Sequence, residues 1–238
     1  GLVKLDKVCE FQTAFITNDE NKINMIKETI NNLNRQGIKK ALGVPMMPDI
    51  IKINDLVYEY KDIKTVPVGI EKDNLSTCLY DFSKNVVNII ASNEMNDTRR
   101  FINNYLKVLE INNSFNKLVI DANNFFDEYN FNIRLFNNNF NEIIDSLKKT
   151  DDEIQDILSK NNMNVRSLKN VTNGLCVIVG LEKFINKLDD EHKNIFREIL
   201  NHNKEALKIT FVFIDIPSVF KKYEYEDWYK NNVDSDDG

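Results

Sequence analysis

Eight residues near the middle of the chain have the spacing of a phosphate-binding loop with most of its chemistry replaced. A working loop reads Gly-x-x-x-x-Gly-Lys-Ser/Thr, in which glycines let backbone N–H groups approach the phosphates, lysine neutralises them and the hydroxyl holds magnesium. Here Ala91 and Asn96 stand at the glycine positions, Asp97 at the lysine and Thr98 at the hydroxyl. Of these four residues, Thr98 alone keeps the expected chemistry.

The acid at the lysine position would reverse the electrostatics of phosphate binding. Two unit charges about 4 Å apart interact with roughly 4 kcal/mol at an effective dielectric constant near 20. Replacing an attractive charge by a repulsive one therefore changes the free energy of phosphate binding by about twice that. A micromolar nucleotide site is worth only about 8 kcal/mol in total. We therefore expect Asp97 to abolish or severely weaken triphosphate binding. The alternative is a strand, polar turn and helix that never formed a nucleotide site.

A nucleotide hydrolase also needs an apolar strand that ends in Asp and usually Glu, to hold magnesium and polarise a water. The matching strand, Leu175–Val179, runs into Gly180-Leu181-Glu182, so the metal-binding carboxylate is absent. Glu182 lies one residue beyond the usual catalytic glutamate, and an exposed acid at a helix start is the simpler interpretation. We predict no catalytic residue and no metal site. The residues of the vestigial nucleotide-binding set are Ala91, Asn96, Asp97, Thr98, Gly180 and Glu182.

Two further acids, Asp121 and Asp215, end apolar strands at what we expect to be the same edge of a sheet. They leave a metal-dependent or receiver-like site open as an alternative. The two histidines, His192 and His202, lie on a polar helix, and we predict that they are solvated rather than metal ligands.

Composition excludes several classes of partner. The 238 residues can bury a substantial core, and the net charge of −6 offers no broad basic field for nucleic acid or an acidic membrane surface. No apolar stretch is long enough to span a bilayer, and the start at Gly1 without Met is typical of a soluble piece of a longer protein. Cys9, Cys78 and Cys176 are predicted to be core thiols in a reducing compartment.

The elements that must position these residues alternate along the chain. We predict strands at Val86–Ile90, Leu118–Ile120, Leu175–Val179 and Ile209–Ile214, and helices at Thr98–Leu109, Phe140–Lys149, Glu153–Ser159 and, as a pair, between Leu181 and Asn203. Apolar strands separated by amphipathic helices indicate an α/β fold, with a mostly parallel sheet covered by helices on both faces. Right-handed crossovers then bring the loops after the strands to one edge, where α/β ligands usually bind.

The chain divides into three predicted segments. Residues 1–37 form a strand and a helix that Gly37 ends, residues 38–64 form an irregular connector, and residues 65–238 form the main body.

The segment after Pro217 concentrates aromatic side chains, including the single tryptophan, among charges. Such a segment can present a binding surface to a peptide partner, and packing that closes the domain is the alternative. The candidate partner-binding residues are Tyr223, Tyr225, Trp228 and Tyr229.

The chain resembles the C-terminal (third) FtsK/SpoIIIE-type ATPase domain of the EssC family, the membrane-anchored coupling proteins of type VII secretion in Firmicutes. The resemblance rests on the degenerate loop, the degenerate second strand, and the tail Ile214-Asp215-Ile216-Pro217 followed by Tyr225-Glu226-Asp227-Trp228-Tyr229-Lys230. The opening Gly1-Leu2-Val3-Lys4, continuing to Glu10-Phe11-Gln12-Thr13-Ala14, resembles the junction with the preceding ATPase domain.

The resemblance implies a RecA-like P-loop NTPase fold on the cytoplasmic side of a membrane-anchored, oligomeric secretion motor. In that family the last domain is associated with secreted WXG100-type proteins and effectors, while ATP and magnesium serve the competent domains. No cofactor is expected here, and membrane contact is expected only through the full-length protein.

Three hypotheses follow. The first is a noncatalytic module that binds secreted substrates and biases the neighbouring ATPase domain by mass action. The second is a residual ATPase completed by an adjacent subunit, and the third is a structural end cap of a motor ring.

Overall fold

The computed structural model of the protein describes residues 2–4, 8–10, 22–37, 46–52, 56, 65–72, 74–93, 95–111, 115–126 and 133–233. The chain divides into two compact units, Gly1–Met46 and Met47–Gly238. Much of the predicted connector, 38–64, lies outside the described residues, and its role stays a prediction.

The first unit contains a short hairpin and one helix. Strands β1 (Leu2–Lys4) and β2 (Val8–Glu10) pair antiparallel, and helix α1 spans Lys22–Arg35. Gly37 has a φ of 69°, the left-handed conformation that ends a helix, so the predicted role of Gly37 is confirmed. Of the strand predicted in this unit, the part beyond Glu10 lies outside the described residues.

The second unit is built on a parallel sheet of five strands. A separate antiparallel hairpin, β3 (Val66–Ile70) with β4 (Thr77–Tyr80), precedes the sheet. The sheet contains β5 (Val87–Ala91), β6 (Phe115–Asp121), β7 (Arg134–Phe136), β8 (Asn173–Val179) and β9 (Ile209–Asp215). Their spatial order is β5-β9-β8-β6-β7, and every neighbouring pair is parallel.

Helices cover both faces of this sheet, as the sequence predicts. They are α2 (Met95–Ile111), α3 (Phe140–Lys160), a 3₁₀ helix (Val165–Asn170), α4 (Leu181–Lys187), α5 (Asp190–Ala206), α6 (Pro217–Tyr223) and α7 (Asp227–Lys230). None of the helices among the described residues is both long enough and apolar enough to cross a bilayer.

Alternation along the strands divides the core into two layers. On β9, Phe211 and Phe213 join the layer under α3, α5, α6 and α7, whereas Val212 and Ile214 join the layer under α2 and the β3–β4 hairpin. Successive strand residues point to opposite faces, so a strand covered on both sides must be apolar throughout.

Several element boundaries differ from the sequence prediction, among them β6, which spans Phe115–Asp121 rather than Leu118–Ile120. The helices predicted at Phe140–Lys149 and Glu153–Ser159 form one continuous helix, α3, because Asp151 in the polar segment between them lies on the buried face. Helix α2 begins at Met95 rather than at Thr98.

Candidate functional site

The carboxyl ends of the sheet strands meet at one edge, which is where a nucleotide would bind in this class of fold. Backbone hydrogen bonds continue beyond the strands and tie their connections together. The Ser92 N–H donates to the Asp215 carbonyl oxygen at 3.2 Å, and the Gly180 N–H donates to the Ile214 carbonyl oxygen at 2.9 Å. The connections after β5, β8 and β9 are therefore held against one another.

The connection between β5 and α2 is short. Strand β5 ends at Ala91 and α2 begins at Met95, so the helix starts at the fifth of the eight positions of the loop pattern. Asn96, Asp97 and Thr98 have helical backbone, and Thr98 is buried. The side chains of Asn96 and Asp97 lie outside what the structure describes, so the electrostatic effect of Asp97 stays a prediction.

Asp215, at the end of β9, directs its carboxylate to neighbouring backbone. Its Oδ2 accepts a hydrogen bond from the Glu182 N–H at 3.2 Å, and its Oδ1 accepts one from the Ile216 N–H at 2.8 Å. The carboxylate thus satisfies a donor in the first turn of α4, which helix starts leave without an intrahelical acceptor. Asp215 thereby has a structural role at this edge.

The Glu182 side chain pairs with a lysine on the helix after β9. Its Oε1 lies 2.6 Å from the Nζ of Lys222 on α6, and this hydrogen bond raises the pKa of the Lys222 ammonium. Both side chains are substantially exposed, so the pair adds little to stability.

Gly180 has a backbone conformation that explains why no carboxylate stands there. Its φ is 85° and its ψ is 63°, which L-residues with a side chain adopt only at a cost. A Cβ at this position would lie 2.7 Å from the Asn123 side chain. The close approach of the β8 and β6 connections therefore favours glycine.

The two strand-end acids do not form a shared site. Asp215 follows Phe211 and Phe213 with period two, whereas Asp121 follows Val119, so the two side chains project from opposite faces of the sheet. The Oδ2 of Asp121 accepts a hydrogen bond from the Phe126 N–H at 2.9 Å. Within the described residues, no group of three or more His, Cys, Asp or Glu side chains has the arrangement of a metal site.

Both histidines lie in the seam between α3 and α5, where each is partly exposed and contacts an aspartate. His192 Nδ1 lies 2.7 Å from Asp189 Oδ1, and its Nε2 lies 3.4 Å from Asp145 Oδ1. The hydrogen bond to Asp189 and the charges of both aspartates raise the pKa of His192. His202 Nδ1 lies 2.7 Å from Oδ2 of the buried Asp151.

The aromatic residues near the end of the chain divide into core and surface. Tyr223, Trp228 and Tyr229 are buried, and the Trp228 ring contacts Phe196 of α5 with centroids 6.2 Å apart. The Tyr225 side chain is 87% exposed. Three of the four candidate residues thus pack in the core, as the alternative to partner binding predicts. Tyr225 is the one of the four whose side chain is available to a partner.

A groove that sequence reasoning missed lies between α3 and the sheet. Its volume is about 740 Å³, and Leu118, Phe136, Ile143, Leu147 and Cys176 are among its apolar lining residues. Lys117, Arg134 and Lys208 are its basic residues, and Glu142 is its acidic one. Cys176 is buried, which confirms the predicted core cysteine, and this burial raises the pKa of its thiol. An apolar strand residue looks the same in sequence whether a helix or a groove covers it.

Comparison with known proteins gives matches at the level of structure. No protein-family model and no curated protein matches the sequence. The cytoplasmic domain of EssC superimposes with a TM-score of 0.60 and 12% identity, over 98% of this chain and 48% of that one. The fold is that of the EssC and EccC ATPase domains. The RecA-like P-loop fold and the resemblance to EssC are therefore confirmed as a likeness of fold.

Two structures of EccC from Thermomonospora curvata extend this likeness. The cytoplasmic domain of that type VII secretion ATPase has a TM-score of 0.61 and 14% identity, over 90% of this chain and 26% of that one. A structure of its ATPases 2 and 3 in complex with a signal sequence peptide has a TM-score of 0.51 and 15% identity, over 90% and 40%. This chain spans about half the length of the EssC structure and less of the two EccC structures.

Proposed function

We propose that this chain is a noncatalytic, partner-binding module of a type VII secretion motor. It engages secreted substrates of the WXG100 type and related effectors, and it regulates the neighbouring ATPase domain of the same chain. It works on the cytoplasmic side of a membrane-anchored, oligomeric protein. One observation carries this proposal. At the edge of the sheet where a nucleotide would bind, the last four of the eight loop positions belong to helix α2.

Two features of this edge support a noncatalytic role. A phosphate is cradled by successive N–H groups of an extended loop, and a helix that begins at Met95 leaves a three-residue connection for that purpose. At the second signature, Gly180 has no carboxylate, and the nearby Asp215 carboxylate is engaged by the Glu182 and Ile216 N–H groups. Apart from Thr98, the residues that usually bind magnesium and phosphate are replaced at both signatures.

The groove between α3 and the sheet supports the partner-binding role. Its apolar floor and Arg134 suit a segment that has both apolar and acidic side chains. An EccC structure of the same fold holds a signal sequence peptide. We therefore assign substrate binding to this groove.

The test measures binding of secreted WXG100-type substrates, and of peptides from their C-terminal tails, to the chain by isothermal titration calorimetry. Leu147 lines the groove and is partly buried, so Leu147→Arg should weaken binding at least about tenfold. Met163 is an exposed apolar residue outside the groove lining, and Met163→Arg should leave affinity unchanged. If no substrate binds, the chain is a structural end cap.

Nucleotide is tested separately by adding ATP and magnesium to the chain and measuring the melting temperature. We expect no specific rise. A rise that Thr98→Ala abolishes and Thr98→Ser preserves would instead support the residual ATPase, since Thr98 is the hydroxyl that a magnesium site needs.

A further inference from the structure

The groove between α3 and the sheet is lined in part by a glycine on an interior strand. Gly174 is the second residue of β8, and it pairs with Asn116 of β6 on one side and with Ile209 of β9 on the other. We propose that Gly174 leaves room over β8 for one large apolar side chain of the bound substrate, a role that rests on the proposed function of the groove. Gly174 then determines which segment of a substrate the groove accepts.

The backbone at Gly174 does not require glycine. A left-handed φ is a common reason for glycine, and among the glycines that the structure describes it occurs at Gly37 and Gly180 but not at Gly174. The pairing of β8 with both neighbouring strands continues through Gly174 without a shift of register, so the strand has no bulge there. A residue with a side chain could therefore adopt this backbone conformation.

Packing among the described residues does not require glycine either. A Cβ at position 174 would lie 3.6 Å from the Lys208 carbonyl oxygen and 3.9 Å from Ile209 Cγ1, which are ordinary van der Waals distances. At Gly180, by contrast, a Cβ would lie 2.7 Å from the Asn123 side chain. Glycine inside a strand lowers stability relative to alanine, so the glycine at position 174 is explained better by what binds there than by the fold.

The space over Gly174 faces the groove. Successive strand residues alternate between the two faces, so position 174 shares the α3 face of the sheet with Cys176. Gly174 is itself partly exposed, although a strand flanks it on each side. The partly exposed apolar side chains that line the same groove are Leu118, Phe136 and Leu147. Glycine on a strand often marks a place where a ligand approaches the backbone closely.

These surroundings define the chemistry of the side chain that binds there. A leucine or an aromatic side chain would fill the space and contact Leu118 and Leu147. A charged side chain would lose its hydration against them without gaining a partner, so this place rejects it. The exposed Arg134 on β7 suits an acidic residue elsewhere in the same segment. The occupant is thus a substrate segment with one large apolar residue over Gly174.

A matched pair of glycine substitutions tests this role. Gly174→Ala adds one methyl group to the groove, and Gly69→Ala adds one to β3, where no described atom would lie within 4 Å of the new Cβ. Neither substitution should lower the melting temperature, and each may raise it by up to about 3 °C, because alanine restricts the unfolded chain. Affinity for the C-terminal tail peptides of the substrates, measured by isothermal titration calorimetry, should fall at least about fivefold in Gly174→Ala. It should change less than about twofold in Gly69→Ala.

Substitutions in the peptide identify the side chain that lies over Gly174. Each large apolar residue of a binding peptide is changed in turn to alanine, and each peptide is titrated into the unaltered chain and into Gly174→Ala. One of these peptides should bind weakly and with the same affinity to both proteins, because its methyl group leaves room for the added one. If every peptide loses the same factor on Gly174→Ala, no single side chain occupies this space, and the proposal is overturned.

Two other outcomes would also overturn the role of Gly174. If Gly174→Ala lowers the melting temperature and Gly69→Ala does not, the fold itself requires the glycine. If Gly174→Ala binds the peptides as tightly as the unaltered chain while Leu147→Arg does not, the groove binds substrate but Gly174 does not select it. In that case the proposed function stands without this inference.

Toluene tests the space over Gly174 independently of any substrate. It is titrated into the whole chain while amide chemical shifts are recorded. The Gly174 amide should shift saturably in the unaltered chain, and this response should be lost in Gly174→Val, whereas the Gly69 amide should not shift. If the peptides do not bind but toluene does, the proposed function fails and the apolar space at Gly174 is upheld. If the Gly174 amide does not respond to toluene, the space does not receive an apolar group and the proposal is overturned.

Discussion

Asp151 brings a carboxylate into the interior between α3 and α5, where each of its oxygens has a partner. Oδ1 accepts a hydrogen bond from Asn203 Nδ2 at 3.0 Å, and Oδ2 lies 2.7 Å from His202 Nδ1. Asn203 continues the chain of contacts, because its Oδ1 accepts from the Ile209 N–H at the start of β9. One buried acid thus connects two helices to the first residue of a central strand.

We expect Asp151→Ala to lower the free energy of unfolding by about 3 kcal/mol, because it removes the carboxylate that pairs with the partly exposed His202 and accepts from the buried Asn203 amide. The neighbouring Asp152 is exposed and pairs with Lys148 on the surface. Asp152→Ala should change the free energy of unfolding by less than about 0.5 kcal/mol. Urea denaturation followed by circular dichroism measures both, and equal losses would contradict the assignment.

Single residues were predictable where one conformation or one environment dominates. Gly37 was assigned correctly because a glycine after an amphipathic run commonly adopts the left-handed conformation. Asp151 was misinterpreted as part of a polar break because, in sequence, a buried acid cannot be distinguished from an exposed one. Its partners His202 and Asn203 are about fifty positions away, so no local pattern records them.

At the scale of elements, the seam between α3 and α5 is held by charged pairs above the apolar core. His192 on α5 lies between Asp145 of α3 and Asp189, and Lys148 of α3 lies 3.2 Å from Glu198 of α5. Asp189 also accepts from the His192 N–H, and these hydrogen bonds lower the pKa of the Asp189 carboxyl. The seam is therefore strongest when His192 is charged and Asp189 is ionised.

The stability of this seam should depend on pH in a direction that follows from the His192 pKa. That pKa is raised above 6.5, so its contribution is complete below about pH 6.5 and is lost as pH rises through the higher folded value. We expect the melting temperature of the unaltered chain to fall relative to His192→Gln between about pH 6 and about pH 8. The effect should be small, because the Asp189 and Asp145 side chains are largely exposed.

Scanning calorimetry across this pH range measures the melting temperatures. Asp145→Asn is the control: it removes one of the two carboxylates that face His192, so it should reduce the dependence of the melting temperature on pH. A difference between the two proteins that is flat, or that grows with rising pH, would contradict it.

Elements were easier to predict than their boundaries or their order. Long apolar runs identified four of the five sheet strands, since both faces of each are covered. The short edge strand β7 was not predicted, because three residues are too few to show the alternation of apolar and polar residues that is typical of a strand. The start of α2 at Met95 was missed, because the spacing of the loop pattern suggested a later start.

At the scale of the whole molecule, both core layers belong to the second unit. Their buried residues lie between Val66 and Tyr229, and the side chains of Ile23 to Gly37 in the first unit are exposed. We therefore expect the fragment Met47–Gly238 to unfold cooperatively with a melting temperature within about 3 °C of the whole chain. A fragment Met47–Lys208 lacks the interior strand β9, which lies between β5 and β8, and should not fold. Thermal unfolding by circular dichroism tests both, and a large fall for the first fragment would contradict this view.

The fold class was predictable from the sequence, but the strand order was not. Alternating strands and helices indicate a parallel sheet, yet β9 inserts between β5 and β8 although it comes last in the chain. Only long-range pairing sets that position, and no local pattern encodes it. The groove beside α3 depends on the same arrangement and was missed for the same reason.

The position of β9 in the sheet also determines when the sheet can form during synthesis of the chain. Val87 of β5 pairs with Phe211 of β9, so the first strand of the sheet must wait for more than a hundred further residues to leave the ribosome. During that interval its apolar edge has no native neighbour, and such edges are where nascent chains associate wrongly. Synthesis of this domain should therefore benefit from a chaperone that shields β5 until translation is nearly complete.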